Sequence, residues 1–335
     1  MSELRQDIIS GDWVILAPGR AARPHFLDAA KRKRKPSPKS QCPFEDLRKS
    51  DNWPPILTYP GNDACDGNWK IAIIRNKYPA LTPSNVCSVP FEHGMYRGKT
   101  GVGTHQLVIT RDHDKSFADL APVMAAKVFE MIQACHIMAG KDRCAEYVSS
   151  FLNWGPSSGA SLWHPHYQVL TLPIVPAHTI QSLRGVQRYF AKYRRCIRCD
   201  IIKNEKRSNV RVIEESRTAI ALAPYASKYP LEVSILPKAH FASFRETPPS
   251  VVEGIALLLQ SVMKRIRKYA NDPDLNFYVH DAPLKGDHAH HHWHVEVIPK
   301  VSTAAGFELS TWIDINTVDP DQAAALLRGE RLGNG

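Results

Sequence analysis

Gln106-Leu-Val-Ile-Thr-Arg-Asp-His113 and Glu232-Val-Ser-Ile-Leu-Pro-Lys-Ala-His240 decide the fold, because they read as the same element written twice. Each is a short apolar run with a histidine just past its end, which predicts a strand in both places. After each comes a long stretch with apolar residues at helical spacing, from about 116 to 139 and from about 248 to 270. Upstream, Lys77-Tyr78-Pro79 matches Lys228-Tyr229-Pro230. Downstream, His164-Pro-His166-Tyr-Gln168 matches His290-His-His292-Trp-His294, and a proline follows the first histidine at the same distance in both, at Pro173 and Pro299. His113 and His240 are 127 positions apart, His164 and His290 126. One register held across a strand, a helix and a histidine motif predicts two copies of one α+β unit, the first carrying an insertion before its strand. The copies are expected at residues 1–190 and 191–335, with a basic helix over 181–195 bridging them. Residues 50–68, rich in Pro, Asn and Asp, read as a long loop.

The bulk properties fit a soluble enzyme-sized chain. With 335 residues, 43% hydrophobic and 23% charged, it has material for one large core or two medium ones. No apolar run reaches the roughly 18 residues of a membrane span. Met1-Ser-Glu-Leu-Arg-Gln-Asp7 has no secretory pattern. Seven cysteines, an odd count, argue against a disulfide framework and for thiols or metal ligands in a cytoplasmic protein. The net charge of +10 is partly local, in Lys31-Arg-Lys-Arg-Lys35, which reads either as a solvated loop or as a rim that attracts anionic substrates. Neither aromatic interleaving nor zinc-finger spacing supports nucleic-acid binding.

Two sets of residues have metal-ligand chemistry. Cys196-Ile-Arg-Cys199 has the spacing of a zinc knuckle, and His240 and His290, at matching points of the repeat, would close a tetrahedral Zn²⁺ site. In the first half, Cys42-Pro-Phe-Glu45 with His113 and His164 offers the same set with one thiolate replaced. A carboxylate is a harder ligand, so the first site has the weaker preference for zinc, and Asp46 competes with Glu45. Of the other histidines in the second half, His280 is the best candidate for a further metal role.

Along 164–171 a strand places His164, His166 and Gln168 on one face. The approach, Asn153-Trp-Gly-Pro-Ser-Ser-Gly159-Ala-Ser161, has small residues that let backbone N–H groups come close to a phosphate, and Ser161 adds a hydroxyl. A neutral imidazole at His166 can attack phosphorus and split one hard transfer into two easier ones. Gln168 can donate to a phosphate oxygen without adding a titrating proton. The second copy, from His290 to His294, lacks such an approach and reads as structural and metal-binding.

These residues resemble the galactose-1-phosphate uridylyltransferase family of the histidine-triad superfamily, over nearly the whole chain. The signature from Asn153 to Gln168 is the most specific part of the match. Gly11-Asp-Trp-Val-Ile-Leu-Ala-Pro-Gly-Arg20-Ala-Ala-Arg23 resembles an opening strand whose arginines approach the nucleotide phosphates. Arg75 to Leu81, with Asn76, resembles the nucleoside-contacting segment; Gly306-Phe-Glu308 and Ile315-Asn316 resemble the C-terminal segment that meets the hexose phosphate. The resemblance implies two half-barrel units sharing a sheet, a homodimer, and a ping-pong reaction in which a nucleotide sugar leaves its nucleotidyl group on His166 and a sugar 1-phosphate collects it. Ser161, Gln168, Arg20 and Arg23 would hold phosphate oxygens. The leading expectation is a UDP-glucose:hexose-1-phosphate uridylyltransferase. The alternative in the same family is a phosphorylase of ADP-glucose or dinucleoside polyphosphates that accepts inorganic phosphate, and relatives of that kind carry the second-half C-x-x-C. An alternative of a different class is a non-catalytic, zinc-stabilised nucleotide- or nucleic-acid-binding protein.

Overall fold

The computed structural model describes residues 2–22, 34–60 and 68–330. In chain order it has β1 (Glu3–Gln6), β2 (Trp13–Leu16), β3 (Leu57–Tyr59), β4 (Ile71–Arg75), β5 (Pro90–His93), β6 (Tyr96–Lys99) and β7 (His105–Thr110), then the helix α1 (Pro122–Ala139). There follow β8 (Tyr147–Trp154), β9 (His166–Leu172), α2 (Ala177–Tyr193), α3 (Ile197–Ser208), β10 (Val212–Glu215), β11 (Ala219–Leu222) and β12 (Val233–Pro237). The chain closes with α4 (Pro249–Tyr269), β13 (Leu275–His280), β14 (His294–Pro299), α5 (Gly306–Thr311), β15 (Asp314–Asn316) and α6 (Pro320–Arg328).

The fold is α+β, built on one ten-stranded sheet in the order β10-β11-β12-β14-β13-β8-β9-β7-β4-β3. Every neighbouring pair in it is antiparallel. Both long helices begin with proline in the first turn, where its missing N–H costs no hydrogen bond. They pack on each other and on one face of the sheet. Period-two alternation sorts the strand residues: Tyr167 and Val169 of β9 enter the core under α1, so His166 and Gln168 face the other way. The core is continuous from Ile71 and Phe129 to Val295 and Leu327. Two buried glutamines tie it together. Gln133 of α1 donates to the carbonyls of Phe244 and Thr247 ahead of α4, and Gln260 of α4 donates to those of Phe117 and Leu120 ahead of α1.

A smaller sheet, β1-β2-β15, joins the two ends of the chain, with β15 parallel to β2. The excursion between β4 and β7 carries the β5–β6 hairpin. It is fastened by a disulfide between Cys87 and Cys144, Cα atoms 4.9 Å apart. That corrects the reading of the cysteines as thiols and ligands only: an odd count leaves room for a pair, and two cysteines 57 positions apart in sequence give no local sign of it. Residue 190 lies inside α2, whose Val186 packs on Ile9 and Ile197. Among the described residues no helix is long and apolar enough to cross a membrane.

Candidate active site and metal centres

His166 opens β9, 7% exposed, and its ring is aimed by the backbone. Nδ1 lies 3.0 Å from the carbonyl of His164, which can only accept, so Nδ1 carries the proton and the Nε2 lone pair is free. Burial is the main cause that lowers the His166 pKa, against the hydrogen bond to the His164 carbonyl, so the imidazole stays neutral at neutral pH. That is the form a nucleophile needs.

Gln168 is aimed by a residue the sequence did not single out. His105, at the start of β7, lies 3.0 Å from Gln168 Oε1 through Nε2. The N–H of Ala80 donates to His105 Nδ1 at 3.2 Å, which fixes the tautomer and makes Nε2 the donor. The Gln168 carbonyl is therefore occupied, and its NH₂ is left for another acceptor. Asn76 also reaches the His105 ring, at 3.1 and 3.3 Å. Burial lowers the His105 pKa, keeping that donor neutral as well. His105 and Gln168 are brought together by the β7–β9 pairing, which no local pattern announces.

The Gly/Ser approach is held from the second half. Asp274 accepts the N–H of Ser157 at 2.7 Å and the Nε of Arg34 at 2.9 Å, while Arg34 lies over the Trp154 ring. A Cβ on Gly155, whose φ is +87°, would sit 1.9 Å from the Asp274 carboxylate, so only glycine fits this turn. Asn276 donates to Asn153 Oδ1 at 2.8 Å and to the Ser158 carbonyl at 3.0 Å. The Asn153 NH₂ is again the free end. Gly159, at φ +90°, ends the turn, and Ser161 follows it exposed. Of the basic run, read either as a solvated loop or as a rim that attracts anions, Arg34 is neither, because two aspartates, Asp272 and Asp274, hold its guanidinium, while Lys35 is exposed; residues 31–33 lie outside the described residues.

The other expected substrate contacts are not gathered here. Arg20 is exposed on the 3-10 turn Pro18–Ala22, and Arg23 lies outside the described residues. Glu308 accepts the N–H of Ala305 and caps α5. Asn316 is corrected as a substrate contact: it is 1% exposed and its side chain is spent on the Ser227 and Tyr229 carbonyls and the Val318 N–H.

Two four-residue clusters have the geometry of metal centres. In the first, Cys42, Glu45, His113 and His164 bring their ligand atoms within 4.8 Å of one another. His164 Nε2 donates to the Thr110 carbonyl at 2.8 Å and His113 Nε2 to the Ser37 carbonyl at 2.9 Å, so both turn Nδ1 inward. Cys42 Sγ is 3.4 Å from His164 Nδ1, and Glu45 is 3.1 Å from His113 Nδ1. In the second, Cys196, Cys199, His240 and His292 converge, with sulfur to Nδ1 distances of 3.6 to 3.7 Å. His240 Nε2 and His292 Nε2 donate to the Ala289 and Pro237 carbonyls. Ligands at zinc bond lengths stand roughly 3.3–3.8 Å apart on a tetrahedron, so both donor sets fit such an ion. The shared hydrogen bond draws the Cys196 thiol well below its ordinary pKa and raises Cys199.

His290 is corrected as a ligand. It stacks on Phe190, ring centroids 3.7 Å apart, and His292 takes the expected place. The reason is the strand start: β14 begins at His294 as β9 begins at His166, so the ligand two residues before the strand is His292 as it is His164. A third group, His280, His294 and Glu296, also converges.

Comparisons with known proteins give the family of the chain. A family model described as a domain of unknown function, DUF4921, matches residues 99–329. An ADP-glucose phosphorylase of Arabidopsis thaliana is 33% identical over 97% of this chain and 92% of its own. A galactose-1-phosphate uridylyltransferase of Thermotoga maritima is 26% identical over 98% of each. Among solved structures, an ADP-glucose phosphorylase from Arabidopsis thaliana with bound ADP-glucose superposes with a TM-score of 0.82 at 30% identity, covering 99% of this chain and 100% of that one. The chain belongs to the DUF4921 family, among the proteins similar to galactose-1-phosphate uridylyltransferase.

Proposed function

We propose that this chain is a nucleotidyl-transferring enzyme that uses His166 as a covalent carrier, and that it acts as an ADP-glucose phosphorylase. His166 Nε2 attacks the α-phosphorus of the nucleotide sugar, the bond to the sugar phosphate breaks, and glucose 1-phosphate leaves. Inorganic phosphate then attacks the same phosphorus, the N–P bond breaks, and ADP leaves. The observation that carries the reading is the coupled aim of two side chains: the free Nε2 of His166, and the free NH₂ of Gln168 locked by His105. The amide meets the charge that develops on a non-bridging oxygen. Asn153, Ser161, Gly159 and Arg20 are the proposed phosphate contacts.

The full-length likeness to the Arabidopsis thaliana phosphorylase supports adenine over uridine. The uridylyltransferase reading is second, supported by the Thermotoga maritima relative. Nucleotide sugar labelled in its α-phosphate decides between them. ADP-glucose is expected to leave one acid-labile label per chain on His166, displaced by phosphate, while His166→Gly takes none. Preferential labelling by UDP-glucose reverses the base, and no label from either sinks the covalent reading. Full retention of every activity in His166→Gly would favour a non-catalytic binding protein.

Zinc is the ion we assign to both four-residue clusters, with the all N/S second set the tighter. When bound, it supplies a structural cross-link. His164, held through Nδ1, then fixes the carbonyl that orients His166. We also read the chain as two histidine-triad-like half-barrels divided near residue 190. The strand order supports this, since it runs through five strands of one half and then five of the other in mirrored succession. Gln133 and Gln260, 127 positions apart, make the same pair of bonds to opposite halves. Exposed Phe307, Leu309 and Trp312 support a homodimer, which light scattering would test.

A further inference from the structure

The sheet carries a cavity that the proposed reaction does not use. It measures about 440 Å³, within the range of small-molecule sites. Its floor is the second half of the sheet, with Leu222, Ser234, Tyr278, His294 and Glu296. Its roof is residues 6–10 together with α2 and α3, which bring in Ser182, Arg198 and Ile201. The residues at the start of β14 face this cavity, as those at the start of β9 form the proposed nucleotide site.

The charges on its walls do not balance. Glu296 bonds to His280 at 2.6 Å, Glu205 to Arg211 at 2.8 Å, Asp281 to His136 at 2.9 Å and Lys228 to Asp12 at 2.8 Å. Asp7 accepts the N–H groups of Ile9 and Ser10. Among the described residues Arg198 has no such partner. Its Nε is shielded from solvent and makes no hydrogen bond, and Asp7 and Glu296 attract it only from beyond bonding range. Four more polar atoms are buried without partners among the described residues: Nδ1 of His294, which is 4% exposed, one carboxylate oxygen of Glu205, and the two ring nitrogens of His291, which is 5% exposed. A half-buried cation without an ion partner, its Nε shielded, and orphaned buried donors are costly unless a ligand completes them. The guanidinium and imidazoles ask for an anion, and Glu205 Oε2 asks for a hydroxyl or N–H donor. Ile9, Ile201, Leu222 and Leu236 leave room for an apolar body between them.

We propose that this cavity is a second, non-reacting binding site for a phosphate monoester that carries hydroxyl groups, anchored by Arg198. A nucleoside monophosphate and a sugar phosphate share that chemistry, and inorganic phosphate lacks the hydroxylated body. The test is calorimetric titration of the metal-containing protein with AMP, glucose 1-phosphate and inorganic phosphate in turn, with crystals soaked in the tightest binder. One monoester is expected to bind with two sites per chain, one of them with density beside Arg198. Arg198→Met is expected to lose that site and keep labelling of His166, and Arg198→Lys to recover part of the binding. Because Arg198 lies between two proposed metal ligands, Ser234→Phe fills the cavity from β12 as an independent variant and should lose the same site. Unchanged stoichiometry in Ser234→Phe, or an empty cavity in crystals soaked at millimolar monoester, overturns the proposal. One site per chain that survives in His166→Gly and disappears in Ser234→Phe upholds the cavity while telling against the His166 reading.

Discussion

His166 opens β9 and His294 opens β14, and the two faces they begin differ in chemistry. On the first, Gln168 follows His166 on the same face of the strand and bonds to His105, while the His164 carbonyl holds Nδ1 of His166. On the second, Glu296 follows His294 and lies beside Glu232, the residue just before β12, with burial and the neighbouring carboxylate raising the Glu232 pKa well above its ordinary value. The first face is approached by the Gly/Ser turn held by Asp274 and Asn276; the second is roofed by α2 and α3. A strand framework can therefore hold the proposed nucleophile or a polar cavity, and what decides is which side chains bracket the strand and what covers it.

The sharpest way to break this contrast is to remove each histidine. His166→Gly is expected to form no adduct and to lower the overall transfer rate by about 10⁴-fold or more, the scale for loss of a nucleophile, whereas His294→Gly should keep both within a few-fold, read by labelling and turnover at equal folded concentration. Comparable losses in the two would end the assignment of chemistry to the first face. Next in size is the brace behind Gln168. His105→Ala frees the amide to rotate and is expected to slow labelling by roughly 10- to 100-fold, the scale of one misdirected transition-state hydrogen bond, with nucleotide KM moved less than kcat. Glu232→Gln, the matching change on the other face, should leave labelling unaltered.

Acid separates the halves more gently. Burial brings the His164 pKa down to about 4 from an ordinary 6.5. The neutral ring's contribution is complete above pH 6.5 and is lost as pH falls through that window toward 4, on the order of 3 kcal/mol in metal-free protein. A Tm measured against pH without metal should fall across that interval, and a flat profile would show that His164 is not buried neutral. The adduct rate should hold down to below the ordinary histidine pKa, since His166 is depressed too. The smallest expected effect is at the mixed cluster: Glu45→Cys should tighten zinc binding in the first site toward that of the second, read by competition with a chromogenic chelator.

Much of the arrangement of the first face was legible in the sequence, because its candidate residues are packed into one run from Asn153 to Gln168 and its helices announce themselves by period. The identity of the second-site ligand was not. Shifting a strand by two residues keeps every side chain on its own face, so alternation alone could not choose between His290 and His292; the start of β14 did. His105, Asp274 and Asn276 escaped notice for a related reason. Each acts across a strand pairing or between the halves, 63 to 123 positions from its partner, and nothing local marks it.

The seam where β8 pairs with β13 has a consequence for any shortened form of the chain. Leu275 to Val279 lie against Ser150 to Trp154, and this pairing alone makes the two five-strand groups one sheet. A fragment that stops before residue 275 would present β8 as an open edge of eight residues, apolar on its core side, with unpaired N–H and C=O groups along its length. Such an edge is a template for a second strand. The fragment should therefore self-associate through β8, either with another copy of itself or without limit, and a charged residue placed mid-strand would be needed to keep it monomeric.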